Sequence, residues 1–224
     1  MSPRPQVIVF DVNETLSDLS PMGQRFVEVG APALLVKTWF ASLLRDGFAL
    51  TAAGSQESFA RLADGAMRSV LTGVALDRSM DEAVEHIMGG FAGLSVHPDV
   101  PGGVRGLRAA GLRLVTLTNG AARTADELLM RVGLREEFEA LHSVEETSAW
   151  KPSPTSYAYI GEACGVEAAQ LMLVAVHPWD IDGATRAGLR TAWLNRGGGY
   201  FPAYFTGPEL AVSSLEELAG RLAD

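Results

Sequence analysis

The sequence predicts an α/β protein with a doubly wound parallel sheet and a helical cap inserted after the first strand. Short apolar, β-branched runs alternate with helical patterns at the start and in the second half of the chain. Between the first run and about residue 98, only helical spacing is found. Alternating strands and helices require right-handed crossovers and therefore a parallel sheet covered on both faces. The predicted division is a core of residues 1–16 and 99–224 and a cap of residues 17–98.

The first predicted strand is the apolar tetrad of residues 7–10, which ends at Asp11. A fully apolar run is typical of a strand buried on both faces, and we expect it at the centre of the sheet. Further strands are predicted at 112–118, 171–176 and 191–194, with helices at 121–132 and 182–187. Since ligands of such sheets bind outside the carboxyl ends of the strands, the polar residues after each strand are the candidates for function.

The cap is predicted to contain helices at 33–44, 56–71 and 80–88, separated by breaks such as residues 51–55. Residues 96–103 hold two prolines and two glycines, which are poorly tolerated inside a helix. They predict a loop that returns the chain to the core, where a helix at 104–110 follows.

Composition excludes several classes of function. The 224 residues include 18 basic and 27 acidic side chains, a net charge of −9, and no basic cluster suited to nucleic acid or an anionic membrane surface. The longest apolar stretch, residues 31–44, is shorter than the ~20 residues of a membrane span. The single cysteine, Cys164, excludes an internal disulfide and a cysteine-rich zinc site. With no signal-peptide pattern at the N-terminus, a cytoplasmic location is expected.

Two groups of polar residues follow the first two predicted strands. Asp11 is followed by Asn13 and Thr15, and a carboxylate surrounded by backbone N–H groups at a strand end can serve as an ionised nucleophile. Alone, such an aspartate is more often a turn or helix cap. Thr118 and Asn119, before Gly120, can bind anionic oxygens or form an ordinary strand-to-helix turn.

Two further groups lie later in the chain. Lys151 precedes a proline that restricts its backbone to extended geometry, and a lysine aimed at Asp11 would keep that carboxylate deprotonated. A lysine on a turn is otherwise usually solvated. His177, Trp179, Asp180 and Asp182 follow the strand at 171–176. Either aspartate can cap the next helix, and Asp182 is expected to do no more than that.

The order of these groups is more specific than any one of them. With Asp11, Thr118, Lys151 and Asp180 in register, the chain resembles the haloacid dehalogenase superfamily over essentially its full length. Residues 117–120, Lys151 with Tyr157 after it, and residues 179–184 most resemble the type II 2-haloacid dehalogenases.

This resemblance implies a Rossmann-like core, a helical cap and displacement of halide from a small 2-halo carboxylate without metal or cofactor. The implied catalytic residues are Asp11, Lys151 and Asp180. The implied substrate-binding residues are Thr15, Asn13, Thr118, Asn119, Phe40, Trp39, Tyr157, His177 and Trp179. Dimers are common among proteins with this resemblance, which therefore allows a homodimer.

Departures from the family pattern bear on the reaction. The phosphatase branch needs a second aspartate two residues after the nucleophile and a Mg²⁺-binding carboxylate before the last motif, but this chain has Asn13 and Val176 there. A phosphatase-like hydrolase acting on another small substrate, or a catalytically silent member, is therefore the alternative.

The arginine that holds the departing halide in the dehalogenase pattern is also missing. Phe40 stands at about its position, and Lys37 and Arg45 lie nearby. His177, where the family usually has asparagine, is either a halide-side N–H donor or a surface residue.

Overall fold

The computed structural model describes residues 4–223 and contains a parallel sheet of the predicted doubly wound kind. The strands are β1 (Val7–Phe10), β2 (Arg113–Thr118), β3 (Ala140–Ser143), β4 (Leu171–Ala175), β5 (Arg190–Leu194) and β6 (Leu210–Val212). They are arranged in the order β3-β2-β1-β4-β5-β6, so β1 is central as predicted. The strand order reverses between β1 and β4, and ligands of such sheets bind at this switch point.

Helices cover both faces of the sheet. Between β1 and β2 lie α1 (Met22–Val27), α2 (Leu35–Ala52), α3 (Phe59–Leu71), α4 (Met80–Ala92) and α5 (Val100–Ala109). The later helices are α6 (Ala122–Arg131), α7 (Pro154–Cys164), α8 (Pro178–Arg186) and α9 (Leu215–Ala223). Serine side chains cap two of the early helices: Ser58 accepts from the Arg61 N–H, and Ser79 forms a capping box with Glu82.

The side chains of β1 alternate between two apolar clusters, as expected for a strand with period two. Val7 and Val9 belong to the cluster that includes α1 to α4, whereas Ile8 and Phe10 belong to the cluster with α5 and α9. An isolated antiparallel bridge joins Ser17 to Val96, where the chain leaves the sheet for α1 and returns from α4. The division into a core and a cap at residues 16 and 99 stays a prediction.

The predicted loop at 96–103 is wrong in part, since α5 begins at Val100 and includes Pro101, Gly102 and Gly103. A proline in the first helical turn loses an N–H that would be unpaired in any case. A Cβ on Gly103 would lie 2.2 Å from the Leu215 Cβ, so the glycines allow α9 to approach closely. The edge strands β3 and β6 were not predicted, because they are short and partly exposed.

Between residues 4 and 223, no helix combines the length and apolar character that a membrane span requires. The prediction that no signal peptide is present rests partly on residues 1–3, which lie outside the described residues.

Candidate active site

The carboxyl ends of β1 and β4 bring three charged side chains together. Asp11 follows β1, and its N–H donates to the Val174 carbonyl at 3.0 Å. Lys151 Nζ donates to Asp11 Oδ1 at 3.0 Å and to Asp180 Oδ2 at 2.6 Å. Lys151 and Asp180 are fully buried, and Asp11 is 4% exposed. One ammonium therefore bridges two carboxylates in a site screened from water.

Lys151 points inward because Asn119 holds its backbone. The Lys151 N–H donates to Asn119 Oδ1 at 2.9 Å, and Asn119 Nδ2 donates to the Lys151 carbonyl at 3.1 Å. Asn119 was predicted to bind substrate, but both ends of its amide are used on Lys151. The structure assigns it a positioning contact between the end of β2 and the loop before α7.

Asp180 lies in the first turn of α8 and is held by Tyr157. The Tyr157 hydroxyl donates to Asp180 Oδ1 at 2.6 Å. Tyr157 was predicted to bind substrate, yet it is 1% exposed and contacts Asp180 instead. Burial, reinforced by the Asp180 carboxylate, raises the pKa of Tyr157 well above its usual value, so the hydroxyl stays a donor. Burial opposes the charge on Lys151, but the two carboxylates outweigh it and raise the pKa of Lys151.

Two threonines flank the nucleophile. Thr15 Oγ1 donates to Asp11 Oδ2 at 2.7 Å and accepts from the Val176 N–H at 3.1 Å, so it orients the carboxylate in this structure. Thr118 Oγ1 accepts from the Gly120 N–H at 2.9 Å. Thr118, Gly120 and Asn13 line a cavity of about 20 Å³, room for about one water.

His177 approaches the nucleophile from the side opposite Lys151. Its Nε2 donates to the Asn13 carbonyl at 3.2 Å and lies 3.7 Å from both Asp11 Oδ2 and Glu14 Oε2. The ring is stacked between Phe40 and Trp179, with centroid distances of 6.4 and 5.0 Å. The structure thus stacks the predicted residues Phe40 and Trp179 on His177, and His177 itself lies beside Asp11.

Glu14 is a site residue that sequence reasoning missed. Among residues 4–223 it is the one non-glycine residue with a positive φ, 63°. Burial raises the pKa of Glu14, while His177 acts in the opposite direction. The sequence signal that could have identified Glu14 was its position between Asn13 and Thr15, two predicted site residues. The structure adds its strained backbone, and strained positions cluster at functional sites.

A cavity of about 750 Å³ lies beside His177. Its lining includes Glu14, Lys37, Phe40, His177 and Arg196, and it does not include Asp11. Lys37 therefore faces the cavity, whereas Arg45 pairs with Asp46 at the surface, Nε to Oδ1 at 2.8 Å.

Besides those for Asn119 and Tyr157, two further sequence predictions require correction. Trp39 does not reach the site, because its fully buried ring packs against Phe91 and its indole N–H donates to the Ala63 carbonyl at 2.9 Å. It belongs to the interior of the α1 to α4 bundle. Asp182 does not cap α8, since it pairs with Arg186 and accepts from the Thr206 N–H.

The donor set does not fit a divalent cation. Within the described part of the chain, no three His, Cys, Asp or Glu side chains are placed to share a metal ion. The carboxylates of Asp11 and Asp180 already share the Lys151 ammonium, which would repel a cation.

Comparison with known proteins is consistent with this geometry. The family model for haloacid dehalogenase-like hydrolases matches residues 5–188. The chain belongs to this family. Haloacetate dehalogenase H-2 of Moraxella sp. (strain B) is 34% identical over 130 residues, 58% of each chain. An (S)-2-haloacid dehalogenase of Pseudomonas putida is 27% identical over 223 residues, 98% of this chain and 97% of the relative. A solved structure of a dehalogenase with an intermediate complex has a TM-score of 0.93 at 26% identity and covers all of both chains.

Proposed function

We propose that the protein hydrolyses small 2-halo carboxylates through a covalent ester on Asp11, without a metal ion. The observation that carries the proposal is the contact of Lys151 Nζ with both Asp11 and Asp180. A carboxylate paired with a buried ammonium is suited to act as a nucleophile, because the ammonium lies within 3.0 Å of one of its oxygens.

In the first step, an oxygen of Asp11 attacks the carbon that bears the halogen, the carbon–halogen bond breaks, and halide leaves with the bonding electron pair. The Thr118 hydroxyl, which accepts from Gly120, and neighbouring backbone N–H groups are suited to hold the substrate carboxylate. Positioning contributes much of the rate in such displacements, because two reactants are held in a reactive geometry.

In the second step, water attacks the carbonyl carbon of the Asp11 ester and releases the 2-hydroxy acid. Asp180 accepts a water proton and returns it to the leaving oxygen, with Tyr157 and Lys151 holding its carboxylate in place. Asp11 ends the cycle ionised, and its counter-ion Lys151 stays unchanged.

Two residues that a phosphatase would need are missing from this chain, which favours a dehalogenase over a phosphatase. Asn13 cannot act as the general acid for a leaving alcohol. Val176 lies where a metal-binding carboxylate would be needed, and its N–H is bonded to Thr15.

Release of halide from chloroacetate and 2-chloropropionate tests the proposal, with a chromogenic phosphomonoester assayed in parallel, each with and without EDTA. We expect halide release that EDTA does not reduce, and no phosphate release. Metal-dependent phosphate release, or turnover of neither substrate class, would contradict the proposal. The Asp182→Asn variant, which changes a surface ion pair, is the matched control for Asp11→Asn.

We also propose a cytoplasmic location and a small-molecule carboxylate as the main partner. The buried free thiol of Cys164 is compatible with a reducing compartment. Sedimentation of the purified protein distinguishes a monomer from the homodimer that the resemblance allows.

A further inference from the structure

Three oxygen atoms converge on one ring nitrogen beside the nucleophile. His177 Nε2 lies 3.2 Å from the Asn13 carbonyl oxygen and 3.7 Å from carboxylate oxygens of Asp11 and Glu14. A carbonyl oxygen only accepts hydrogen bonds, so Nε2 carries a proton in this arrangement. Its one N–H is directed at the Asn13 carbonyl, and Asp11 Oδ2, at 3.7 Å, lies just beyond hydrogen-bond distance from the same donor.

The ring of His177 is held in place. It is stacked at 24° to Phe40 on α2 and at 18° to Trp179 on α8. The two contacts with aromatic rings fix the plane of the imidazole and therefore the direction of its Nε2–H. The side chain of His177 is 13% exposed, so its Nε2 acts in a partly dry setting where hydrogen bonds are strengthened.

Glu14 lies against the same nitrogen at the cost of backbone strain. A glutamate with a φ of 63° is in the left-handed region, where its Cβ crowds the following carbonyl oxygen. The Glu14 carbonyl accepts from His97 Nε2 at 2.9 Å, and its N–H donates to Ser17 Oγ at 3.3 Å, which together fix this conformation. A strained residue that directs a carboxylate at a site histidine points to function rather than to folding.

The contacts of Asp11 distinguish its two oxygens. Oδ1 has Lys151 as its neighbour, whereas Oδ2 accepts from Thr15 at 2.7 Å and faces His177. In an in-line displacement, the halide departs on the far side of the carbon from the attacking oxygen. A donor beside the Asp11 carboxyl group is therefore placed to act on that group and not on the halide.

We propose that Asp11 attacks through Oδ1 and that His177 Nε2–H, together with the Thr15 hydroxyl, forms an oxyanion hole for Oδ2 during hydrolysis of the ester. This proposal rests on the function proposed above and assigns His177 a different role from the halide-side donor that the sequence allowed. Glu14 is a positioning residue that orients the His177 ring.

The electrons and protons of the step are balanced. Water oxygen bonds to the Asp11 carbonyl carbon, and the carbonyl electron pair moves to Oδ2, where His177 and Thr15 stabilise the charge. When the carbonyl forms again, the bond between that carbon and Oδ1 breaks. One water proton reaches the leaving oxygen of the 2-hydroxy acid through Asp180, and the other is released to solvent.

The two steps can be separated by rapid quenching and intact-mass measurement of the ester during reaction with 2-chloropropionate. His177→Met removes the N–H, His177→Gln retains a donor of similar reach, and His142→Met on β3 is the matched control. We expect ester formation to be nearly unchanged in His177→Met and ester hydrolysis to slow by about 10- to 100-fold, so that the ester accumulates. His177→Gln should restore most of the hydrolysis rate.

Glu14→Gln provides the second variant, and we expect it to slow hydrolysis several-fold while ester formation stays unchanged. General structural damage would slow both steps, so this selectivity separates positioning from folding. Hydrolysis at the wild-type rate in His177→Met, or a loss confined to ester formation, would overturn the inference. If the wild-type protein forms no ester with any 2-halo carboxylate, the proposed function itself fails, and this inference fails with it.

Discussion

The two sides of the Asp11 carboxyl group differ in burial and in how their charges are balanced. On the Oδ1 side, Lys151, Asp180 and Tyr157 are at most 1% exposed and form a closed set of short hydrogen bonds. On the Oδ2 side, the side chains of His177 and Glu14 are 13% and 41% exposed and line the large cavity. The closed side surrounds the ammonium that pairs with the nucleophile, whereas the open side faces the large cavity.

This difference predicts different consequences of mutation. Removing one member of a buried ion pair leaves a charge without compensation, which typically costs several kcal/mol. Changes on the open side leave groups that water can reach, so they should alter rates more than stability. The following variants test this contrast.

The largest effect is expected for Asp11→Asn. The amide lacks the charge of the nucleophile, so halide release should fall by about 10⁴-fold or more. The measurement is initial-rate halide release from 2-chloropropionate. Asp182→Asn should release halide at the wild-type rate, and substantial activity in Asp11→Asn would refute covalent catalysis.

Lys151→Met should affect both activity and stability. We expect the activity to fall by about 10³-fold, because Asp11 loses its counter-ion. The free energy of unfolding should fall by about 3–5 kcal/mol, since Asp11 and Asp180 become a buried pair of like charges. Urea denaturation at pH 7 measures this change. A loss below about 1 kcal/mol, the range of an exposed ion pair, would show that the site is hydrated.

The ion pairs of Lys151 with Asp11 and Asp180 also predict that the protein loses stability at alkaline pH. The pKa of Lys151 is raised above its usual value of 10.5 by the two carboxylates, after the opposing effect of burial. Its contribution is therefore fully present below pH 10.5 and is lost as the pH rises through the higher folded-state pKa. Urea denaturation between pH 8 and 12 should show this decline in the wild-type protein. Lys151→Met should lack that part of the decline, and identical profiles would contradict the assignment.

Gly183→Ala tests the closed side without removing a charge. A Cβ at this position would lie 2.7 Å from the Tyr157 hydroxyl oxygen and 2.6 Å from the Pro152 Cβ, so Tyr157 must move away from Asp180. We expect kcat to fall by about tenfold, as for a modest displacement of a catalytic group. In Gly161→Ala on α7, the new Cβ would be 3.5 Å from its nearest neighbour, and kcat should be unchanged.

Glu14→Gly, on the open side, should change the free energy of unfolding least. It should raise this free energy, whereas Lys151→Met should lower it. Glycine adopts a φ of 63° without strain, so the free energy of unfolding should rise by about 1 kcal/mol while ester hydrolysis slows. Glu85→Gly, in the middle of α4, should instead lower it by about 1 kcal/mol. Thermal unfolding of both variants gives the comparison. Destabilisation by Glu14→Gly would mean that the glutamate stabilises the fold.

The fold and the nearness of Asp11 to Asp180 could be predicted from the sequence for the same physical reason, whereas the residues alone left the direction of Lys151 open and Tyr157 was predicted to bind substrate. Apolar runs mark buried parallel strands, and the carboxyl ends of such strands share one edge, so Asp11 and Asp180 had to lie close together. The positions of β3 and β6 could not be predicted, because edge strands are partly exposed and lack a continuous apolar run.

The roles of individual side chains were less predictable. Trp39 and Phe40 are adjacent on α2, but Trp39 packs into the helical bundle and Phe40 packs on His177. Their residue types do not distinguish these two positions. Asn119 forms hydrogen bonds with the backbone of Lys151, 32 positions away in the chain, and sequence spacing does not indicate such a contact. The positive φ of Glu14 follows from the surrounding contacts and not from its own preference.

The central claim is that Asp11 itself bonds to the substrate carbon, and one labelling experiment tests it. Excess enzyme is allowed a single turnover of 2-chloropropionate in water enriched in ¹⁸O. We predict that the 2-hydroxy acid carries unlabelled oxygen and that the label appears in the peptide containing Asp11. Labelled product, with no label in that peptide, would show that water attacks the substrate directly and would contradict the account.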